Sequence, residues 1–375
     1  MIYLTYNDPP SGIYFSQVTD VCRHLQRSFN VKVRLVALIS IRGFFSNRRK
    51  IRSDHSSAII LPMFPGPGNW RMNIFHLFLL FALLDSKKII ARGPFAACMA
   101  LSLRKAGVAR YVCFDARGAY LAEHEEYDVS GNVSLTSSVF EIEKKAVHDS
   151  DNRIAVSKKL VEYWKEKFGY TKKVQVIVPS TFNSDLFVNN PDEMCVLESR
   201  AKLGFSAEDI VLAYSGSLAG WQSLKIGDEF LLSAMRANPK VKALFLMKTT
   251  PVNMKVIQEF KERVVCRHAE EKEIPFLLAG CDYGLLLREK SVTNHVASPV
   301  KFAEYLFAGL SILISDQVGD YSDFVRDNRC GIVVDANFQP GSLVARTMTE
   351  RIVLHQLALD RLSKRSFDSE YRKLI

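Results

Sequence analysis

The chain has 375 residues, 48% of them hydrophobic and 24% charged, with a formal net charge of +10. That length is too great for one ordinary core and fits two domains, and the balance of residue types excludes a disordered or fibrous chain. The positive charge points to an anionic partner, which leaves nucleic acid, an anionic membrane surface or a phosphorylated substrate.

Residues 2–6 read as a strand, and 15–29 as a helix with Phe15, Val18, Cys22, Leu25 and Phe29 on one stripe. Between them the PPSG loop carries Gly12, where the missing side chain permits close approach of a ligand to the backbone. Further strands are expected at 31–39, 58–61, 88–91, 111–114, 153–156 and 174–178. The basic run from Arg42 to Arg52 has Phe44 and Phe45 beside its cations. It suits either a solvated loop or an anionic membrane surface. The apolar stretch from Ile74 to Leu84 is about half of the roughly 20 residues needed to cross a bilayer, so it is a core or interfacial helix. The N-terminus MIYLTYNDPP lacks a signal-peptide pattern, which favours a cytoplasmic address.

Turn residues gather between Pro179 and Asp192 and mark a linker. A second series of strands follows at 210–214, 243–248, 264–266, 283–287, 311–314 and 332–334. Strands alternating with helices mean doubly wound parallel sheets. The α/β reading is therefore two Rossmann-like domains, 1–182 and 183–352, with a C-terminal helix at 353–375 crossing back onto the first. The carboxyl ends of both sheets are expected to face one cleft, where ligands of such sheets bind.

Several patterns carry no chemistry. Seven scattered cysteines have neither disulfide nor zinc spacing and read as reduced and mostly buried. Asp149-Ser150-Asp151 spells D-x-D but lies at a helix-to-strand junction, and the eight histidines show no ligand spacing, so no metal is expected. His124 and His295 lie nearest the expected cleft. No nucleic-acid module accompanies the basic run, which places that partner last.

The strongest local signal is ASPVKFAEYLFAG at 297–309. Ser298 is a good N-cap and Pro299 suits the first helical position. Lys301 then stands where a capping box would have an acid, beside the positive end of the helix dipole, an arrangement that an incoming diphosphate would relieve. Glu304 shares its face and could reach a ribose diol, or simply pair with Lys301.

The stretch SPVKFAEYLFAGLSILIS resembles the donor-binding segment of family-4 retaining glycosyltransferases of the GT-B fold, the bacterial surface-polysaccharide type, with its pattern P-x-K-x-x-E-Y-x-x-x-G-x-P-V-I. FDARGAYLAE resembles that group's F-D-x-R-G stretch and includes Asp115, Arg117, Gly118 and Glu123. DNRIAVSKKLVEYW, VIVPSTFNSDLF and AYSGSL agree with it in order and spacing. The resemblance implies a nucleotide-sugar donor, UDP- or GDP-linked and acting as substrate rather than cofactor, and transfer with retention to a glycan or lipid-linked acceptor. It gives the ribose to Glu304 and the diphosphate to the helix start at Ser298 and Pro299. Gly216 and Ser217, at the end of a strand, could line the same pocket through their backbone N–H groups. Among Lys225, Lys248, Arg288 and Lys301, the last two are expected to neutralise the leaving diphosphate. Asp115 and Arg117 fall to the acceptor side or the transferring sugar, or else form an ion pair that braces a loop. The sequence departs from the family at the first glutamate of E-x7-E, where Val296 stands. A silent nucleotide-sugar-binding subunit and a nucleotide-sugar 2-epimerase are the alternatives.

Overall fold

The computed structural model of the chain describes residues 1–64, 67–84, 86–127, 134–181, 191–217, 219–249, 252–270 and 272–375. It divides into two compact units, one formed by Met1–Thr181 with Phe367–Ile375 and the other by Phe182–Ser366. Most of the expected linker, 182–190, lies outside the described residues.

Among the described residues of the first unit, seven parallel strands form one sheet. They are β1 (Ile2–Tyr6), β2 (Arg34–Ile39), β3 (Ile59–Pro62), β4 (Lys88–Arg92), β5 (Tyr111–Asp115), β6 (Asn152–Ala155) and β7 (Val176–Ile177), in the order β3-β2-β1-β4-β5-β6-β7. A parallel sheet needs both faces covered, so the middles of its strands are mostly apolar, with polar residues such as Lys88, Arg92, Asp115 and Asn152 at their ends. The helical stretch after β1 lays Val18, Cys22 and Leu25, all fully buried, on one face of the sheet. Phe15 and Phe29 close the ends of that stripe, as its 3.6-residue spacing predicts.

In the second unit six described strands form another parallel sheet: β8 (Ile210–Ser215), β9 (Val241–Leu246), β10 (Val264–Arg267), β11 (Tyr283–Leu286), β12 (Ser311–Ser315) and β13 (Gly331–Val334). Their order is β10-β9-β8-β11-β12-β13. Along β8 the side chains alternate, Val211 and Ala213 entering one core and Leu212 and Tyr214 the other. In both sheets the strand order reverses beside the first strand, between β1 and β4 and between β8 and β11. That is the switch point where the carboxyl ends of such sheets leave a ligand crevice.

The C-terminal segment is shared between the units. The helix Met348–Leu362 is tied to the second by Arg351, which donates to Asp282 at 2.7 Å, both side chains being buried. Phe367–Ile375 packs with the first, where Tyr371 and Leu374 enter the core. The basic run, for which a solvated loop is one of two readings, is helical over Phe44–Asp54. The apolar stretch forms the helix Asn73–Ala82, which buries Leu77 and Phe81 and leaves Phe75, Phe78 and Leu79 exposed. Among the described residues no helix is long and apolar enough to cross a membrane.

Candidate nucleotide-sugar site

The second sheet's switch point is built by the ends of β8 and β11 and by the helix Val300–Phe307. Tyr305 joins them. Its ring is fully buried against Gly284 of β11, where a Cβ would stand 2.1 Å from the ring, and its hydroxyl accepts the Ser215 N–H at 2.8 Å. A larger residue at 284 would lift the helix, and without the tyrosine hydroxyl the end of β8 would lose its anchor.

Two cations meet above this anchor. Arg288, two residues past β11, is held by its own N–H on Ser315 Oγ at 2.9 Å and donates from Nη1 to Asn294 Oδ1 at 3.1 Å. Its Nη2 reaches Gln222 Oε1 at 3.4 Å, and Lys301 Nζ donates to the same oxygen at 2.9 Å. Lys301 Nζ also lies 4.6 Å from the centre of the Tyr214 ring. Burial, and then the charge of Arg288, push the Lys301 ammonium down to about 7, against the opposing pull of Glu304. Two basic groups therefore share one acceptor here, and the site disfavours the second charge unless an anion arrives. Gln222 is fixed in turn because the next residue, Ser223, accepts the Glu289 N–H on its hydroxyl at 3.0 Å.

The helix begins one residue later than the sequence implies. Pro299 is the N-cap, in extended conformation and without a side-chain cap bond, and Val300 is the first helical residue. Proline's fixed φ suits either place. The Ser298 hydroxyl instead lies 3.0 Å from the hydroxyl of Tyr321, so Lys301 stands second in the helix, not third. Gly216 also differs from expectation, because its N–H donates to Leu246 O at 3.0 Å and continues the ladder beyond Ser215. It is not a spare donor for a phosphate. Ser217 is exposed, and its carbonyl accepts from Tyr214 Oη at 3.1 Å. Lys225 and Lys248 are exposed as well. Val296 is fully buried, so the position eight residues before Glu304 faces the interior, whereas Glu289 is exposed and Glu304 half-buried.

No protein-family model matches the sequence, and no curated protein matches it. Solved structures do. Anabaena HepE in complex with UDP aligns with a TM-score of 0.75 at 12% identity, covering 99% of this chain and 98% of that one. Sucrose-phosphate synthase from Thermosynechococcus elongatus aligns at 0.70 and 13% identity, over 100% and 98%. WaaG, a glycosyltransferase involved in lipopolysaccharide biosynthesis, aligns at 0.67 and 14% identity, over 98% and 99%. The chain has the GT-B fold.

In the first GT-B unit, Asp115 and Arg117 form a close pair. Asp115 is fully buried at the end of β5; Arg117 donates from Nη2 to its Oδ2 at 3.0 Å, and Arg117 Nε lies 2.8 Å from Oδ1, close but poorly aligned for a hydrogen bond. The Tyr3 hydroxyl donates to the same carboxylate, and Arg117 Nη1 donates to Gln17 Oε1 at 2.9 Å. This is the bracing arrangement that the sequence left beside an acceptor-side role: it ties β1, β5 and the first helix together. Gly12 is exposed, with ordinary backbone angles and nothing within 4 Å of where a Cβ would stand, so the space around it is open. Of the D-x-D residues, Asp151 Oδ2 accepts from Arg104 at 2.5 Å and from the Val112 N–H at 2.8 Å, a structural use. Among the described residues no cluster of three or more His, Cys, Asp or Glu is arranged to hold a metal ion.

The GT-B motif reading found Arg288 and Lys301 but missed Gln222, Tyr214 and Asn294, which hold them. No local pattern marks Gln222 and Tyr214, which meet their partners only across the fold, and Asn294, six residues from Arg288, belongs to none of the motifs. The tyrosine of the K-x-x-E-Y pattern was visible, and the structure supplies its reason in Gly284 and Ser215.

Proposed function

We propose that this chain is a retaining glycosyltransferase that takes a sugar from a UDP- or GDP-sugar and passes it to a glycan or lipid-linked acceptor in surface-polysaccharide biosynthesis. The observation that carries the reading is the meeting of Arg288 and Lys301 on Gln222 at the second sheet's switch point. Two basic groups brought together at that position fit a diphosphate, whose charge would favour the protonated form of Lys301. Support also comes from HepE, solved with UDP, and from WaaG, which acts in lipopolysaccharide biosynthesis.

In this mechanism the bond from the anomeric carbon to the diphosphate oxygen breaks through an oxocarbenium-like transition state. The departing oxygen takes the proton of the acceptor hydroxyl, which attacks from the same face. Arg288, Lys301 and the free N–H groups at the start of the Val300–Phe307 helix meet the charge growing on the leaving oxygen, the part a metal plays elsewhere. Glu304 accepts from the ribose diol, Ser298 and Pro299 shape the approach to the helix start, and Gly216 and Ser217 line the pocket. Gly12 admits a sugar or phosphate close to the first unit's backbone. Asp115 and Arg117 act by positioning β1 and β5.

The protein works as a peripheral, cytoplasmic enzyme at the inner membrane face. Phe45, 80% exposed, stands with Arg48, Arg49, Lys50 and Arg52 on one helix, and Phe75 and Leu79 are exposed on another, the mixture that an anionic bilayer surface binds.

A thermal-shift screen against UDP-, GDP-, ADP- and CMP-sugars tests the donor assignment. A ligand at a hundred times its Kd stabilises by about 2.7 kcal/mol. Stabilisation by a UDP- or GDP-sugar that disappears in Lys301→Ala is expected, and indifference to every donor overturns the reading. Stabilisation without release of nucleoside diphosphate to any acceptor would leave a silent binding protein.

A further inference from the structure

The first sheet has a switch point of its own, between the ends of β1 and β4, and the site described above does not account for what stands there. Tyr6 ends β1 and Arg92 ends β4. Phe95, in the helix Gly93–Lys105, is the hub of an aromatic group: its ring centre is 5.9 Å from that of Tyr6, 5.6 Å from Tyr120 and 5.8 Å from the buried Trp70. Tyr6, Phe95 and Tyr120 are each only half-buried, so this apolar wall is open on one side.

Polar groups converge on the wall. Asp8, with 31% of its side chain exposed, lies 3.4 Å from Arg92 Nε, a loose contact. Arg92 is nine-tenths buried, and its Nη1 has no hydrogen-bond partner; the buried Tyr6 hydroxyl has none either. Buried donors are seldom left so, since each costs about 1–3 kcal/mol. Glu123 comes in from the next helix over Gly118, where a Cβ would stand 2.7 Å from Oε1, so glycine there is what admits the carboxyl.

We propose that these six residues, Tyr6, Asp8, Arg92, Phe95, Tyr120 and Glu123, form a binding site for an uncharged sugar ring. Half-exposed aromatic faces take the C–H face of a pyranose, and carboxyls and a guanidinium take its hydroxyls, a few polar groups set in an apolar wall. Asp8 beside Arg92 offsets the charge of the one guanidinium, so the site holds no surplus positive charge for a phosphate. Burial holds the Glu123 carboxyl up to about 7, so near neutral pH it both donates to and accepts from hydroxyls. This rests on the transfer reading for its use: the ring is the acceptor's terminal residue, a neutral sugar rather than a lipid phosphate.

Saturation-transfer NMR on the full chain without nucleotide tests it. The probes are the methyl pyranosides of glucose, galactose, mannose and N-acetylglucosamine, with glucose 6-phosphate and inorganic phosphate as charged controls. At least one methyl glycoside should receive saturation, and Phe95→Ala should weaken it about tenfold, the loss of a stacking aromatic. Asp8→Asn, which keeps the side-chain volume, should weaken it too, and both variants should keep the thermal shift given by the nucleotide sugar. Silence from all four glycosides, signals unchanged in both variants, or preference for the charged controls overturns the site. Loss of nucleotide-sugar binding with glycoside binding intact would sink the transfer reading and leave this site standing.

Discussion

The ammonium of Lys301 occupies the space that a side chain at residue 216 would need: a Cβ on Gly216 would stand 2.0 Å from Nζ. The glycine after β8 therefore serves the cation rather than a turn. Gly216→Ala should fold, because the atoms in conflict are the flexible end of a lysine, but it should push Nζ away from Gln222. Turnover is expected to fall toward that of Lys301→Ala, a loss of about 2.7–4 kcal/mol in barrier height for a missing leaving-group donor. Wild-type kinetics in Gly216→Ala would separate the glycine from the cation.

Binding of the diphosphate should take up a proton at alkaline pH. Lys301 titrates near 7 in the free protein, against 10.5 for a solvated lysine. A bound anion favours the charged form and raises the value again. Calorimetry in buffers of different ionisation enthalpy should show uptake approaching one proton per nucleotide at pH 8 to 9, and almost none at pH 6. The same shift costs the folded state stability. The unfolded chain holds the proton up to about 10.5, so the penalty is complete below pH 7 and disappears as pH rises toward 10.5. Lys301→Met should be more stable than wild type at pH 6, with a difference that narrows by pH 10.

Tyr305 and Gly284 should be inseparable. Tyr305→Phe leaves the Ser215 N–H unpaired, a cost of about 1–3 kcal/mol. Gly284→Ala puts a methyl into a buried ring and should cost as much or more. Denaturant melts of the two single variants and the double variant measure the coupling, and additive losses would show that the ring and the glycine act independently.

Arg117→Met should be a stability variant. It strands the fully buried Asp115 carboxylate, a loss of about 3–5 kcal/mol for a broken buried pair. The donor-induced thermal shift should persist at a temperature where the variant is folded. A variant of unchanged stability that cannot use acceptor would return Arg117 to the acceptor.

The exposed cations of the Phe44–Asp54 helix should set membrane affinity. Each basic residue near an anionic surface contributes about 1 kcal/mol, so Arg49→Gln with Lys50→Gln should reduce sedimentation with phosphatidylglycerol vesicles roughly thirtyfold at low salt. Neutral phosphatidylcholine vesicles should show little difference between the two proteins. Equal binding to both kinds of vesicle would remove the membrane from the proposal.

Periodicity and helix punctuation, both local properties, made the strand order along the chain, the helix ending in Phe29 and the helix carrying Lys301 and Glu304 legible from the sequence alone. Charge at a helix start also marked Lys301, because the chemistry there needs no distant partner to be recognised. What the sequence could not reach lies across the sheets: that Gln222 joins Arg288 to Lys301, that Gly216 yields space and not an N–H, and that Val296 faces inward. It also could not show that Tyr3 and Arg117 both donate to Asp115 Oδ2. The physical reason is the same in each instance. Period and propensity act over a few residues, whereas in a doubly wound sheet the side chains that meet at a switch point come from strands and loops up to 112 residues apart, as Tyr3 and Asp115 are. Only the packing of the folded chain decides which of them touch.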